Sequence, residues 1–222
     1  MAGHASYSSC EQYRQNVLDA REQIQQRGLA DLNVHFVSSW YTHPDFINCM
    51  ASRVLDARKR LSSSLATSAR VVFTAHSIPT RLANNSRYES QLLESCTETA
   101  KAADVKDWSL VYQSRSGNPQ DPWLGPDVGD YLSAEHSKGL GAVILCPIGF
   151  VTDHVEVLYD LDTEVAALCQ RLQLPMVRAS TANDHPTFIN MMTDMVLSTC
   201  ARYKNGVPLS LSTEMVNPHQ AR

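Results

Sequence analysis

The chain has 222 residues, enough for one large or two small domains with a buried core. At 43% hydrophobic and 19% charged residues it reads as an ordinary globular chain rather than a disordered or fibrous one. A formal net charge of -4 argues against a general nucleic-acid binder, which needs a basic surface. No apolar run reaches the roughly 20 residues of a spanning helix, and the start of the chain lacks a basic-then-apolar leader pattern. A soluble, cytoplasmic protein without a transmembrane segment is expected.

In chain order, Ser9 and Gln12 form a capping box before a helix whose Tyr13, Val17, Ala20 and Ile24 share a face, and Gly28 ends it. Asn33 to Val37 reads as a first strand. Pro44 suits the first position of a second helix carrying Phe46, Ile47, Met50, Val54, Leu55 and Leu61. Arg70 to Ala75 is a nearly continuous apolar strand, as expected where both faces are covered. A second capping box, Ser86 with Glu89, precedes Leu92, Leu93, Cys96 and Ala100. Further strands are read at Ser109 to Gln113, Ala142 to Pro147 and Met176 to Ala179, with a long helix from near Asp153 and a last one opened by Pro186. The tail, residues 206–222, is polar. Strand alternates with helix throughout, which predicts an α/β fold: a doubly wound parallel sheet with helices on both faces. In such sheets ligands bind beyond the carboxyl ends of the strands, where the unusual polar residues of this chain fall.

Three segments carry chemistry. V-V-F-T-A-H-S-I-P ends a central strand at His76, and the following Ser77-Ile78-Pro79 fixes a turn. A histidine there is as readily a backbone-bonded strand terminus as a functional group. G-F-V-T-D-H-V-E-V-L-Y-D-L-D-T-E places Glu156, Asp160 and Glu164 four residues apart. On an α-helix they fall within an arc of about 80° and span roughly 12 Å, with Val155, Leu158, Val165 and Leu172 as the core face. No lysine or arginine of the helix offsets this ladder. It is either a solvated acidic edge or a cation-handling face headed by His154 and Glu156, a reasonable ligand set for ferrous iron. The Gly/Pro-rich loop after Gln113 bears Trp123, a packed surface tryptophan or a stiff wall beside a flat ligand.

The six cysteines, Cys10, Cys49, Cys96, Cys146, Cys169 and Cys200, are scattered without a C-x-x-C pair. That spacing predicts buried thiols, with no disulfide framework and no iron–sulfur cluster.

T-A-H-S-I-P, Y-Q-S-R-S-G-x-P-x-x-P-W-L-G-P and P-I-G-F-V-T-D-H-V-E-V-L-Y-D-L-D-T-E resemble the three signature blocks of ferrochelatases, in order, within a match from about Tyr41 to Cys200. S-Y-S-S-C-E-Q-Y-R-Q-N is similar to the bacterial coproporphyrin-using type. The resemblance implies a class II chelatase fold and a lyase that inserts ferrous iron, its substrate, into protoporphyrin IX or coproporphyrin III, with no tightly bound cofactor. It implies His76 and Glu156 as catalytic residues on opposite sides of the pocket, and Ser77, Pro79, Trp123 and His154 as substrate-binding. The metal path would run through His76, Glu156, Asp160 and Glu164. The macrocycle would be held bent, and either His76 or Glu156 would take the pyrrole proton. A cobalt or nickel chelatase, a non-catalytic tetrapyrrole or metal carrier and a metal-assisted hydrolase are the rivals. The Q-S-R and P-W-L-G-P elements speak against the first, and the lack of H-E-x-x-H against the last.

The resemblance divides the chain into residues 1–40, the end of an N-terminal chelatase half or a connecting helix and strand, a C-terminal ferrochelatase domain over 41–205, and the tail. Family members begin with a half containing an L-L-V-N-L-G-G-like strand and loop, and this chain starts after it. The 222 residues are therefore expected to be a poor enzyme alone, and to self-associate or bind a partner fragment.

Overall fold

The computed structural model describes residues 3–6, 10–29, 34–117 and 120–204. At its centre lies β1 (Arg70–His76), whose five middle residues are buried. Valine, phenylalanine and threonine suit a pleated strand packed on both faces. β1 is flanked by β2 (Trp108–Gln113) and β3 (Val143–Cys146), and β4 (Met176–Arg178) pairs outside β3. All three pairings are parallel, giving the order β2-β1-β3-β4. The connection from β1 runs to one side and that from β3 to the other. The carboxyl ends of β1 and β3 therefore form the switch point where doubly wound sheets open a crevice.

Side chains alternate between two cores. Val71, Phe73 and Ala75 pack with α2 (Pro44–Arg58), α5 (Tyr88–Ala102) and α9 (Pro186–Lys204). Val72, Val143 and Leu145 pack with α6 (Val128–Ser137) and with the helical stretch after β3. α3 (Ser63–Ser68) and α4 (Thr80–Asn84) are short connectors. The predicted doubly wound sheet with helices on both faces is what forms.

Several local expectations are corrected. Residues 34–37 are not a strand; with an exposed Val37 and no sheet partner among the described residues the segment stays irregular. Asn33 and the Ser9 cap lie outside the described residues. α1 (Gln12–Gln26) forms and Gly28 takes a positive φ of 66° just beyond it, but α1 buries none of its residues. The Ser86–Glu89 box does not form, because α5 is capped at Arg87 with no side-chain cap bond. The Ser86 hydroxyl accepts from Tyr88 N–H at 3.4 Å, whereas the Glu89 carboxylate is engaged by the Tyr112 hydroxyl at 3.1 Å.

The helix after β3 departs most. It begins as α7 (Val155–Tyr159), passes through a π-helical turn (Asp160–Val165) and continues as α8 (Ala166–Leu172). A π-turn holds more residues per turn than an α-helix, so the buried stripe runs at four-residue steps through Val157, Leu161, Val165 and Cys169. Val155 and Leu158, expected on the core face, are exposed to 75% and 43%; the inserted residue moved the seam.

The segment Gly3–Ser6 lies against α5. Ala5 N–H donates to Gln91 Oε1 at 2.6 Å, and His4 Nε2 lies 2.9 Å from Ser95 Oγ. Burial lowers the His4 pKa to about 4 from 6.5. An unfolded His4 takes up its proton near pH 6.5 and a folded one only near pH 4. Its share of stability is thus complete above the unfolded value and is lost as pH falls through that interval, a change of roughly 3 kcal/mol. Melting temperature followed from pH 7 to pH 4.5 is expected to fall steeply in the native protein and less steeply in His4→Gln. Equal slopes would show that His4 does not stay neutral in the fold.

Candidate active site

His76 is the last residue of β1, opposite Gln113 at the end of β2. Its Nδ1 lies 2.5 Å from the Ser77 carbonyl oxygen. A carbonyl only accepts, so Nδ1 carries a proton, and whenever the ring is neutral its Nε2 is the free acceptor. That Nε2 lies 4.0 Å from the Glu156 carboxylate. The distance is too long for a direct hydrogen bond but leaves room for one cation between the two atoms. The main chain of His76 is fixed as well: the buried Tyr88 hydroxyl donates to its carbonyl at 2.9 Å.

Glu156 is placed by the turn after β3. Gly149 N–H donates to Thr74 O at 3.1 Å, drawing the turn onto the end of β1, and a Cβ on Gly149 would meet Ala75 Cβ at 2.6 Å. His154 caps α7: its Nδ1 accepts from Glu156 N–H at 3.2 Å, so the neutral ring carries its proton on Nε2. The two histidines therefore hold opposite tautomers, His76 with an open acceptor and His154 with an open donor.

A cleft of about 760 Å³ lies beside this pair, lined by His76, Pro79, Trp123, Phe150, His154 and Phe188, among others. Ser77 also lines it, but its hydroxyl donates to Leu124 O at 2.7 Å. With bonds from Leu124 N–H to Ile78 O and from Thr80 N–H to Pro122 O, this ties the Ser77–Thr80 turn to the Trp123 loop. Ser77 thus builds the wall on which Pro79 and Trp123 sit.

The acidic ladder divides. Asp160 accepts from Gln113 Nε2 at 3.2 Å and from the Ser114 hydroxyl, and it lines a second cavity of about 370 Å³ with Glu164. Arg115 and Arg171 line that cavity too. The expectation that no basic residue accompanies the ladder is therefore corrected: Arg171 stands at the end of the same helix. Glu156 alone of the three faces His76.

Sequence reasoning missed several contributors to the cleft, among them His4, Tyr88, Phe150, Phe188 and Asn183. Asn183 was reachable, since it sits in the loop beyond the carboxyl end of β4, where such folds bind ligands. Its side chain joins the Asp153 network. Burial pushes the Asp153 carboxyl up, but hydrogen bonds from Asn183 and Thr181 and the Arg178 charge outweigh it and hold the pKa below the usual range.

Four cysteines, Cys49, Cys96, Cys146 and Cys169, are buried as expected. Burial pushes the Cys49 and Cys169 thiols up to about 11, so they stay protonated and act as small apolar side chains. No helix among the described residues is long and apolar enough to cross a membrane.

A parallel doubly wound sheet with a histidine–carboxylate pair at its switch point defines a chelatase-like protein, and comparison bears out the fold. SirB from Bacillus subtilis, solved with Fe3+, superposes with a TM-score of 0.58 over 95% of this chain and 73% of that one, at 11% identity. The family model described as Ferrochelatase matches residues 1–200, and the chain belongs to that family. A ferrochelatase of Rhodopirellula baltica is 47% identical over 86% of this chain and 53% of its own length. The coproporphyrin III ferrochelatases of Mycolicibacterium vanbaalenii and Streptomyces coelicolor are 40% and 37% identical, over 86% and 96% of this chain. The chain spans about half the length of the curated relatives it matches, between 53% and 61% of these three.

Proposed function

We propose that this chain carries the metal-inserting site of a ferrochelatase, which places ferrous iron into a porphyrin in heme synthesis. The observation that carries the reading is the facing pair at the switch point: Nε2 of His76 and the Glu156 carboxylate, 4.0 Å apart beside a cleft walled by Trp123, Phe150 and Phe188. A flat aromatic macrocycle suits such walls. Insertion replaces two pyrrole protons by one divalent cation. The pair offers what the exchange needs, a lone pair and a negative charge that can receive a proton or hold the incoming metal. His154 lines the same cleft with a neutral ring whose proton is on Nε2, and is suited to hold a polar edge of the substrate. Asp160 and Glu164, on the neighbouring cavity, are assigned to metal approach rather than to the chemistry.

The relatives' names favour coproporphyrin III over protoporphyrin IX as substrate. Exposure of Val155 and Tyr159, 75% and 55%, beside a half-exposed Glu156 leaves the mouth of the site open. The 222 residues alone are therefore expected to bind porphyrin weakly. The reading is tested on this chain extended with the N-terminal half of a full-length relative, by supplying ferrous iron with each porphyrin under anaerobic conditions and following metalloporphyrin absorption. Turnover with neither would remove it.

Without a C-x-x-C pair, and with four thiols buried, the chain is proposed to work with no iron–sulfur cluster, in a reducing cytoplasm. Anaerobically purified protein is expected to lack visible charge-transfer bands. Bands accompanied by stoichiometric iron and sulfide would contradict this.

A further inference from the structure

The Glu156 carboxylate is half-exposed and stands at 4.0 Å from His76, a separation that does not itself lock the side chain in place. Its position is set by the backbone on either side, and both sides are fastened to one residue, Arg178, at the end of β4. Arg178 Nε and Nη2 donate to the two oxygens of Asp162, both at 2.7 Å. Its Nη1 donates to Asp153 Oδ1 at 2.8 Å and to Ala179 O at 3.2 Å. The side chain is only 13% exposed, and its own carbonyl accepts from the Arg60 guanidinium. Asp153 is further held by Asn183 Nδ2 at 2.8 Å and Thr181 N–H at 3.3 Å.

Asp153 lies three residues before Glu156, in the turn from β3. Asp162 lies six residues after it, inside the π-turn. π-turns are rare and occur mostly as single-turn bulges inside α-helices, frequently at functional sites. Relaxing one into an α-helix removes a single inserted residue, which turns the preceding segment by about 100° and shifts it by about 1.5 Å. Such a change would carry Glu156 away from His76. A guanidinium reaching both carboxylates prevents it, because its planar fork holds Asp162 through two bonds and leaves Nη1 for Asp153.

We propose that Arg178 is a positioning residue that sets the gap between His76 and Glu156, and with it the affinity of the site for a divalent metal. This rests on the reading of that pair as the metal site. The effect expected of a residue that orients a metal ligand from behind is a 10–100-fold loss of affinity. Lysine can reach one carboxylate but not both.

The test is cobalt(II) titration of the 222-residue protein, read by its visible spectrum, at a temperature where circular dichroism shows every variant folded. Native protein is expected to bind, and His76→Ala to lose the signal. Failure of either would remove the metal-site reading itself, before Arg178 is in question. With both satisfied, Arg178→Met is expected to bind roughly 10–100-fold more weakly with a changed spectrum, and Arg178→Lys to recover part of the loss. Asp162→Asn, which frees only the π-turn limb, should fall between native protein and Arg178→Met. If Arg178→Met lowers melting temperature but binds cobalt with native affinity and spectrum, Arg178 is structural and the inference is wrong.

Discussion

His76→Ala is expected to reduce iron insertion by at least about 10²–10⁴-fold, the range associated with loss of a positioned proton acceptor. The fold should survive. His76 is a third exposed at its ring, and its main-chain links, to Gln113 across the sheet and to the Tyr88 hydroxyl, do not need the imidazole. Glu156→Gln removes the facing charge but keeps the shape and the helix cap. It is expected to cost nearly as much in kcat, with porphyrin affinity little changed. Glu164→Gln, on the neighbouring cavity, should alter the metal concentration needed rather than the maximal rate. The check is steady-state turnover with each substrate varied in turn, beside far-ultraviolet circular dichroism. Near-normal turnover of a folded His76→Ala protein would mean that the chemistry lies elsewhere. Unfolding of that variant would instead make His76 a strand-end fixture.

Gly149→Ala is expected to be the most damaging single methyl in the site. The added carbon would come within 2.6 Å of Ala75 Cβ and 2.8 Å of Ala75 Cα. Ala75 is wholly buried in the central strand and cannot swing aside as a flexible side-chain end would. The turn must lift off β1, straining or breaking the bond from Gly149 N–H to Thr74 O. Overpacking of this kind costs about 1–3 kcal/mol, a fall in melting temperature of roughly 2–12 °C in a chain of this size. Because the same turn leads to His154 and Glu156, metal affinity should fall with it. A variant as stable as native protein, with native metal affinity, would show that the turn does not depend on this close approach.

The strands around the site were legible because they are short, apolar and ended by conspicuous polar residues. Reading the carboxyl ends of Arg70–His76 and Val143–Cys146 as the business end of a parallel sheet needed only the alternation of elements. Two local features were not legible, besides the long-range role of Arg178. The π-turn has no sequence periodicity of its own, since one inserted residue is indistinguishable from an amphipathic helix with an imperfect seam. The ladder therefore read as one continuous face, whereas Glu156 meets His76 and Asp160 meets Gln113 and Ser114. The helix caps were the other. His43, His154 and His185 each accept from the N–H two residues on, a role usually looked for in Ser, Thr, Asp or Asn. Arg178 was hidden for a different reason: its partners Asp153 and Asp162 are distant in sequence, and only the packing of β4 beside β3 brings it to both.

The central claim is that His76 and Glu156 together pass a divalent cation into a porphyrin. It is tested most directly by the initial rate of ferrous iron insertion into coproporphyrin III and protoporphyrin IX, with porphyrin affinity measured separately by fluorescence quenching. The assay is run on the 222-residue protein and on the same chain extended with the N-terminal half of a full-length relative. The expected result is insertion by the extended protein that is lost with His76→Ala or Glu156→Gln while porphyrin binding persists. Tight porphyrin binding by both proteins with no metal entering the ring would contradict the account and make the chain a tetrapyrrole carrier.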